Sequence, residues 1–347
     1  MSRLPPSRGL PQIASIRASV LQPVMAFLAP DPGKLRQLLE QNGLDAAQVQ
    51  DPYAPIPLAA YLGLYEDAAR ISGDPILGAR LGHSIRPGDL GPVGLLVVQA
   101  GTIRRGLGAL ARFTSALQSM TKVALHDVDD RLIWSYRIET SLNLPRRQDS
   151  EFTLACACGL IRAAFDARWR PLEVQFEHPS IGRDSALQKL FGAPVRFGQP
   201  INRILVNATD AARQRRTEDM DLILLIERHL SDLMAVGGET ATTAEQVQSL
   251  IGLYMGVRPI HLENLAAGLK ISPRSLQRRL AAEGQSVRGL VEGHRMQMAA
   301  RLLSEGGMSV EAIADVLGYA DGTAFWRAYK HWTGLAPSQM KGRNGGS

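Results

Sequence analysis

Leu265-Ala266-Ala267-Gly268-Leu269-Lys270-Ile271-Ser272-Pro273-Arg274-Ser275-Leu276-Gln277-Arg278-Arg279-Leu280 decides the reading of this chain. A short helix over 262–268, a tight turn and a second helix over 273–282 make one unit, 262–283. Ser272 before Pro273 is a helix start, because a serine oxygen takes an orphan N–H of the first turn and proline is tolerated at the first helical position. Leu276 and Leu280 lie four apart and share one face. Arg274 and Arg278 lie opposite them, with Ser275 and Gln277 flanking. That outer face carries groups that read base edges: arginine grips guanine and glutamine grips adenine in the major groove. Arg279 lies nearer the buried side and is assigned to phosphate.

The same unit recurs over 310–333. A helix over 310–317 and a turn at 318–320 precede a helix over 322–333. Phe325, Ala328, Tyr329 and Trp332 share its inner face; Thr323, Arg327 and Lys330 share the outer one, with Trp326 beside them. Asp321 is placed to cap this helix and Gly334 to end it. A long helix over 287–304 joins the two copies, with Leu290, Val291, Met298, Leu302 and Leu303 as core positions. One helix pair is common in all-helical domains. Two pairs on a rigid connector, each with a basic outer face, fit successive major grooves roughly 34 Å apart.

At this point the chain resembles the AraC/XylS transcription regulators. The residues are those quoted above, then Arg295, Ala299, Leu302-Leu303, Ser309-Val310, Ile313-Ala314, Leu317-Gly318-Tyr319, Phe325, Arg327-Ala328-Tyr329-Lys330, Trp332-Thr333-Gly334 and Pro337-Ser338. Trp326 and His331 depart from the common pattern. Further back, Gly91-Pro92-Val93-Gly94-Leu95-Leu96, 168–179 and 190–197 look like the ligand-binding domain of the branch typified by ornithine-utilisation regulators. The resemblance implies a small-molecule effector such as an amino acid, amine or related metabolite. It also implies double-stranded DNA and RNA polymerase as partners, and action usually as an activator. It does not imply a cupin-type sugar pocket, and no cupin histidine pattern is present.

Working outward, the preceding residues read as an α+β sensing domain over 1–215. Pro5, Pro6, Gly9 and Pro11 mark a loose start, with helical patterning from near Ile13. Helices are expected over 32–42, 57–72, 95–98 and 103–120, where Leu107, Leu110, Phe113 and Met120 keep helical spacing. The period then switches to two: 123–126 and 132–138 read as a hairpin turning at 127–130. A helix over 151–169 and short strands at 172–176, 195–197 and 204–206 follow. An amphipathic helix over 217–234 and a Gly/Thr/Ala-rich linker ending at residue 243 separate this part from an all-α DNA-binding domain over 244–342. The helix is expected to serve a homodimer, because many members of the family bind paired sites.

Charge and composition agree with this division. Of the net charge of +6, residues 258–347 carry +5, with 12 Lys+Arg against 7 Asp+Glu. A clustered basic excess fits a polyanionic partner. Cys156 and Cys158 sit in an apolar helical run and read as small core residues in a reducing compartment. The apolar piece at 20–29 is interrupted by Pro23 and is too short for a convincing leader, and no stretch reaches the ~20 apolar residues of a membrane span. A cytoplasmic location without membrane contact follows as the expectation.

An enzyme is disfavoured. No Gly-x-Ser-x-Gly elbow, P-loop or His-Glu-x-x-His helix occurs, and the seven histidines are scattered. No cofactor or metal is expected. For the effector, Phe113, Trp134, Tyr136 and Glu151 lie near the helix–sheet junction as candidates, although each also suits a core or helix-start role. Two alternatives stay open: a regulator that ignores small molecules and acts through its abundance, and an enzyme or accessory binding module.

Overall fold

The computed structural model describes residues 15–139, 144–234, 242–255, 260–305 and 308–333. The expected loose start, linker residues 235–241, Gly334 and Pro337-Ser338 lie outside them.

The chain opens with a two-stranded antiparallel ribbon, β1 (Ser15–Arg17) and β2 (Pro55–Pro57), in which Ile16 faces Ile56. Around it run α1 (Gln22–Leu28), α2 (Pro32–Gln41), α3 (Ala46–Gln50), α4 (Leu58–Ser72), α5 (Leu77–His83), α6 (Gly91–Gln99) and α7 (Ile103–Phe113). The helix expected to reach residue 120 stops at Phe113. The Thr114 hydroxyl donates back to the Leu110 carbonyl at 2.5 Å and a 3-10 turn follows. Met120, at φ 56°, then turns the chain into the sheet.

β3 (Thr121–Val128) and β4 (Arg131–Ile138) form the hairpin, closed by Asp129 at φ 55°. After them come α8 (Arg147–Ala164), β5 (Glu173–Gln175), α9 (Asp184–Phe191), β6 (Val195–Arg196), β7 (Asn202–Asn207), α10 (Ala208–Ala212) and α11 (Met220–Met234). The five strands lie in the order β3-β4-β7-β5-β6, antiparallel except for β5 beside β6. Helix α8 packs directly on α5. A Cβ at Gly78 would collide with the Gln148 carbonyl, and one at Gly82 with that of Phe152, so only glycine allows this approach.

The C-terminal part is all helix: α12 (Thr243–Tyr254), α13 (Leu262–Gly268), α14 (Pro273–Ala282), α15 (Val287–Glu305), α16 (Val310–Val316) and α17 (Gly322–Thr333). The fold is thus an α+β region followed by two helix-turn-helix units on a long connecting helix.

Both faces of the sheet are covered, which explains why β4 is apolar without strict alternation. Leu132, Trp134, Tyr136 and Ile138 join the core of the N-terminal part. Ile133, with Val128 and Leu205, joins instead the core built by α12–α17.

Candidate nucleic-acid interface and sensor cavity

Two turns of one design aim the second helix of each unit. After α13, Lys270 adopts φ 55°, and the N–H groups of Lys270 and Ile271 return to the carbonyls of Ala267 and Ala266, each at 3.0 Å. After α16, Gly318 adopts φ 71°, and the N–H groups of Gly318 and Tyr319 return to Asp315 at 3.0 Å and Ala314 at 2.9 Å. Left-handed backbone is what reverses a chain this tightly. Ser272 then starts α14: its Oγ accepts from the Ser275 N–H at 3.1 Å and donates to the Ser275 hydroxyl at 2.9 Å. Asp321 starts α17, accepting from the Ala324 N–H at 2.7 Å.

These caps orient the helices so that Leu276 and Leu280, and Phe325 and Tyr329, are buried. The opposite faces are in water. Arg274, Gln277 and Arg278 are exposed on α14, with Ser275 half-buried beside them. Arg279, read from the sequence as nearer the buried side, is exposed as well. Thr323, Arg327 and Lys330 are exposed on α17, where the Lys330 ammonium sits 4.9 Å over the Trp326 ring. Among the described residues no ion pair engages Arg274, Arg278, Arg279 or Arg327, whereas Arg288 is held by Glu292 at 2.9 Å. Exposed cations free of ion pairs on the second helix of each unit suit a polyanionic duplex. Behind them Arg295 stacks 4.8 Å over Tyr319 and reaches the Gly318 carbonyl, tying the second turn to the connector.

The outer face of the sheet holds the helical part through a residue the sequence reading passed over. Arg203, on β7, is 0% exposed. Its guanidinium donates to the carbonyls of Leu253 at 2.7 Å and Met255 at 3.3 Å and to the Gln175 side chain. It therefore satisfies the C-terminal carbonyls of α12, where a cation is favoured. Burial lowers Arg203 to about 10, so it stays charged at neutral pH. An arginine sharing a strand face with Leu205 was the available signal. Farther along, Arg301 of α15 reaches Glu177 at 3.5 Å and the Gln199 carbonyl at 3.2 Å.

The inner face of the same sheet borders a small chamber, and a larger cleft shares part of its wall. An open cleft of about 580 Å³ lies between Arg17, Tyr53 and Arg86 on one side and Leu230 and Leu233 of α11 on the other. Leu90, Val93 and Leu117 form a wall common to it and to an inner chamber of about 60 Å³. Trp134 and Tyr136, both candidates from the sequence, line that chamber. The Tyr61 and Tyr136 hydroxyls donate to Asp149 Oδ1 and Oδ2 at 3.0 and 2.7 Å, and Gln118 donates to the Tyr136 oxygen at 3.3 Å. Burial raises Asp149 to about 6, against the pull of the two phenols.

The other two candidates lie elsewhere. Phe113 is packed in the core. Glu151 is buried between Arg147, at 3.1 Å, and His178, at 3.6 Å. Burial raises Glu151 to about 8 and lowers His178 to about 4. Cys156 and Cys158 are buried free thiols whose pKa values burial pushes up. No cluster of three or more His, Cys, Asp or Glu suited to a metal ion occurs among the described residues.

The model for the "Arabinose-binding domain of AraC transcription regulator, N-term" matches residues 33–214, more than half of the chain, and a helix-turn-helix domain model matches residues 265–343. The chain belongs to the AraC family of transcription regulators. It is 29% identical over 291 residues to the HTH-type transcriptional regulator VirS of Mycobacterium tuberculosis, covering 83% of this chain and 85% of that protein. It is 23% identical over 327 residues to the ornithine utilization regulator of Pseudomonas aeruginosa, covering 90% and 93%. The transcriptional regulator CdpR of Pseudomonas aeruginosa is a solved structure with 20% identity and a TM-score of 0.41, covering 88% of this chain and 96% of that one. This AraC-family member is therefore a transcriptional regulator with a helix-turn-helix DNA-binding domain, and its relatives are regulators rather than enzymes. No helix among the described residues is long and apolar enough to cross a membrane.

Proposed function

We propose that this AraC-family chain is a sequence-specific regulator whose hold on DNA answers to a small-molecule effector. Residues 1–215 sense, 216–243 couple and 244–342 bind DNA. Ser272, Arg274, Ser275, Gln277, Arg278 and Arg279 form the first reading surface, and Asp321, Thr323, Trp326, Arg327 and Lys330 the second. The protein works in the cytoplasm, without catalysis, usually as an activator that recruits RNA polymerase.

One observation carries the effector-controlled reading. Adjacent residues of β4 face two ways: Trp134 and Tyr136 wall the inner chamber, and Ile133 enters the core of the DNA-binding part. A ligand that prefers one setting of this strand biases the other face with it. Helix α11 supports a second step. Its Leu230 and Leu233 line the cleft, while Met220, Leu224 and Leu225, the last 67% exposed, face outward as a surface for a second copy. Pairing there would set two DNA-binding domains on paired sites.

The test combines DNA binding with ligand screening. Purified protein should shift a duplex from its own upstream region at low salt, and thermal unfolding in the presence of amino acids, amines, short acids and aliphatic ketones and alcohols should show stabilisation by at least one compound. Absence of any shift would remove the DNA-binding reading. A shift without stabilisation by any compound would favour control by abundance. Leu224→Glu with Leu225→Glu should halve the mass in sedimentation if α11 pairs the copies.

A further inference from the structure

We propose that the inner chamber behind Leu90, Val93 and Leu117 is the effector's specificity pocket, and that it takes an uncharged head group with an acceptor lone pair, a ketone or alcohol on an aliphatic stem. This depends on the effector-controlled reading above and narrows its ligand class away from amino acids and amines.

The chamber contains an unanswered donor. Trp134 lines it and is 2% exposed, yet its Nε1–H has no hydrogen-bond partner among the described residues. Buried N–H groups are nearly always paired with protein or water, so this one offers a donor to whatever fills the chamber, and an acceptor on the occupant would answer it. The phenols offer the complement. Tyr61 and Tyr136 commit their protons to Asp149, so toward the chamber their oxygens hold only lone pairs. Gln118 already uses the Tyr136 oxygen, which leaves that of Tyr61. A hydroxyl answers both Trp134 and Tyr61; a ketone answers Trp134 alone.

The remaining wall is uncharged: Val20, Leu110, Phe152 and Ala157 are apolar, and Thr114, Gln118, Thr153 and Cys156 are neutral, with the Thr114 hydroxyl and the Gln118 amide already donating to the Leu110 carbonyl and to Tyr136. A charged head would lose its water there without a counter-ion on the wall. Asp149 does not line the chamber; it lies behind the two phenols it already binds. Its charge opposes an anion, and an ammonium has no lone pair for Trp134. Size points the same way. At about 60 Å³ the chamber is less than half the ~150 Å³ of a cavity that admits benzene. It fits a head group, and a stem that parts the shared Leu90–Val93–Leu117 wall would reach the 580 Å³ cleft beside Leu230 and Leu233.

Hexan-2-one, hexan-2-ol and hexan-2-amine are matched probes for the full-length, ¹⁵N-labelled protein. The Trp134 indole resonance, assigned with Trp134→Phe, should move on titration with the ketone and the alcohol. Trp134→Phe should weaken the ketone about tenfold, the worth of one hydrogen bond. The amine should bind at least about tenfold more weakly than the alcohol at pH 7.5, as the cost of burying its charge requires. Ala157→Leu, which fills the chamber and keeps the indole, should abolish the shift. A Trp134 resonance unmoved by all three probes, or tightest binding by the amine, would overturn the assignment. If charged metabolites stabilise the protein without moving that resonance, effector control stands and the chamber assignment falls. If nothing in either set stabilises or shifts the protein, both fall.

Discussion

Replacing Arg203 by methionine isolates the joint between the sensor sheet and the DNA-binding helices. Methionine fills a similar volume and carries no donor. The loss is the hydrogen bonds to Leu253 and Met255 at 2.7 and 3.3 Å and the one to Gln175, all buried. Bonds from a charged donor are worth about 1.5–3 kcal/mol each net of desolvation. Burial lowers the Arg203 pKa, so the low end of that range applies. Counting the two bonds that cross the joint at that low end, the net cost is about 3 kcal/mol. That is roughly a hundredfold gain in the undocked population. Hydrogen exchange reads it directly: the last turn of α12 should exchange about a hundredfold faster, while α8, inside the sensor core, should stay unchanged. Equal protection of α12 in both proteins would show that Arg203 does not hold the joint.

Three further substitutions probe separate parts of the structure. Gly82→Ala drives a Cβ into the Phe152 carbonyl and should cost about 2–4 kcal/mol in urea unfolding, because backbone cannot yield as a side chain does; a change under about 0.5 kcal/mol would contradict the close approach of α5 to α8. Lys270→Gly relieves a left-handed lysine at φ 55° and should raise stability by about 0.5–1 kcal/mol, with a loss refuting the turn geometry. Glu151→Gln tests the buried acid. Its folded pKa of about 8 lies above the usual 4.5, so the folded chain holds a proton that the unfolded chain releases. The stability this group contributes is complete below about 4.5 and is lost as pH rises through about 8, at up to about 1.4 kcal/mol per pH unit. The variant should therefore lose less stability than the parent between pH 5 and 8, and parallel curves would contradict the shift.

The DNA-binding half was largely legible because its signals are local. Ser272 before Pro273, Leu276 four residues from Leu280, and a turn at 318–320 each act within one or two helical turns, and the structure places them as the spacing requires. The sensor was harder to read because its centre is assembled from distant segments. Tyr61 meets Asp149 across 88 positions, and Trp134 gains its meaning only from walls supplied by α6, α7 and α8. No local period announces that. Arg203 was missed because the strand reading began at Ile204, one residue too late to show that the arginine shares a face with Leu205. Helix α5, Leu-Gly-Ala-Arg-Leu-Gly-His, was passed over because glycine is a poor helix former; here glycine is kept for the close contact with α8. Thr114, by turning back on Leu110, ended a helix that apolar spacing alone would have continued.

The central claim is that α14 reads bases with one arginine and grips the backbone with its neighbour. Arg278 and Arg279 are both exposed, so the distinction rests on direction around the helix rather than on burial. The direct measurement is the affinity of Arg278→Ala and Arg279→Ala for a duplex selected by the parent protein and for mismatched versions of it, across a range of salt. Arg278→Ala should weaken the matched duplex by about 1–3 kcal/mol and narrow its advantage over the mismatched ones. Arg279→Ala should weaken all duplexes alike and lower the salt slope by about one unit. Identical behaviour of the two variants on matched and mismatched DNA would contradict this account of the reading helix.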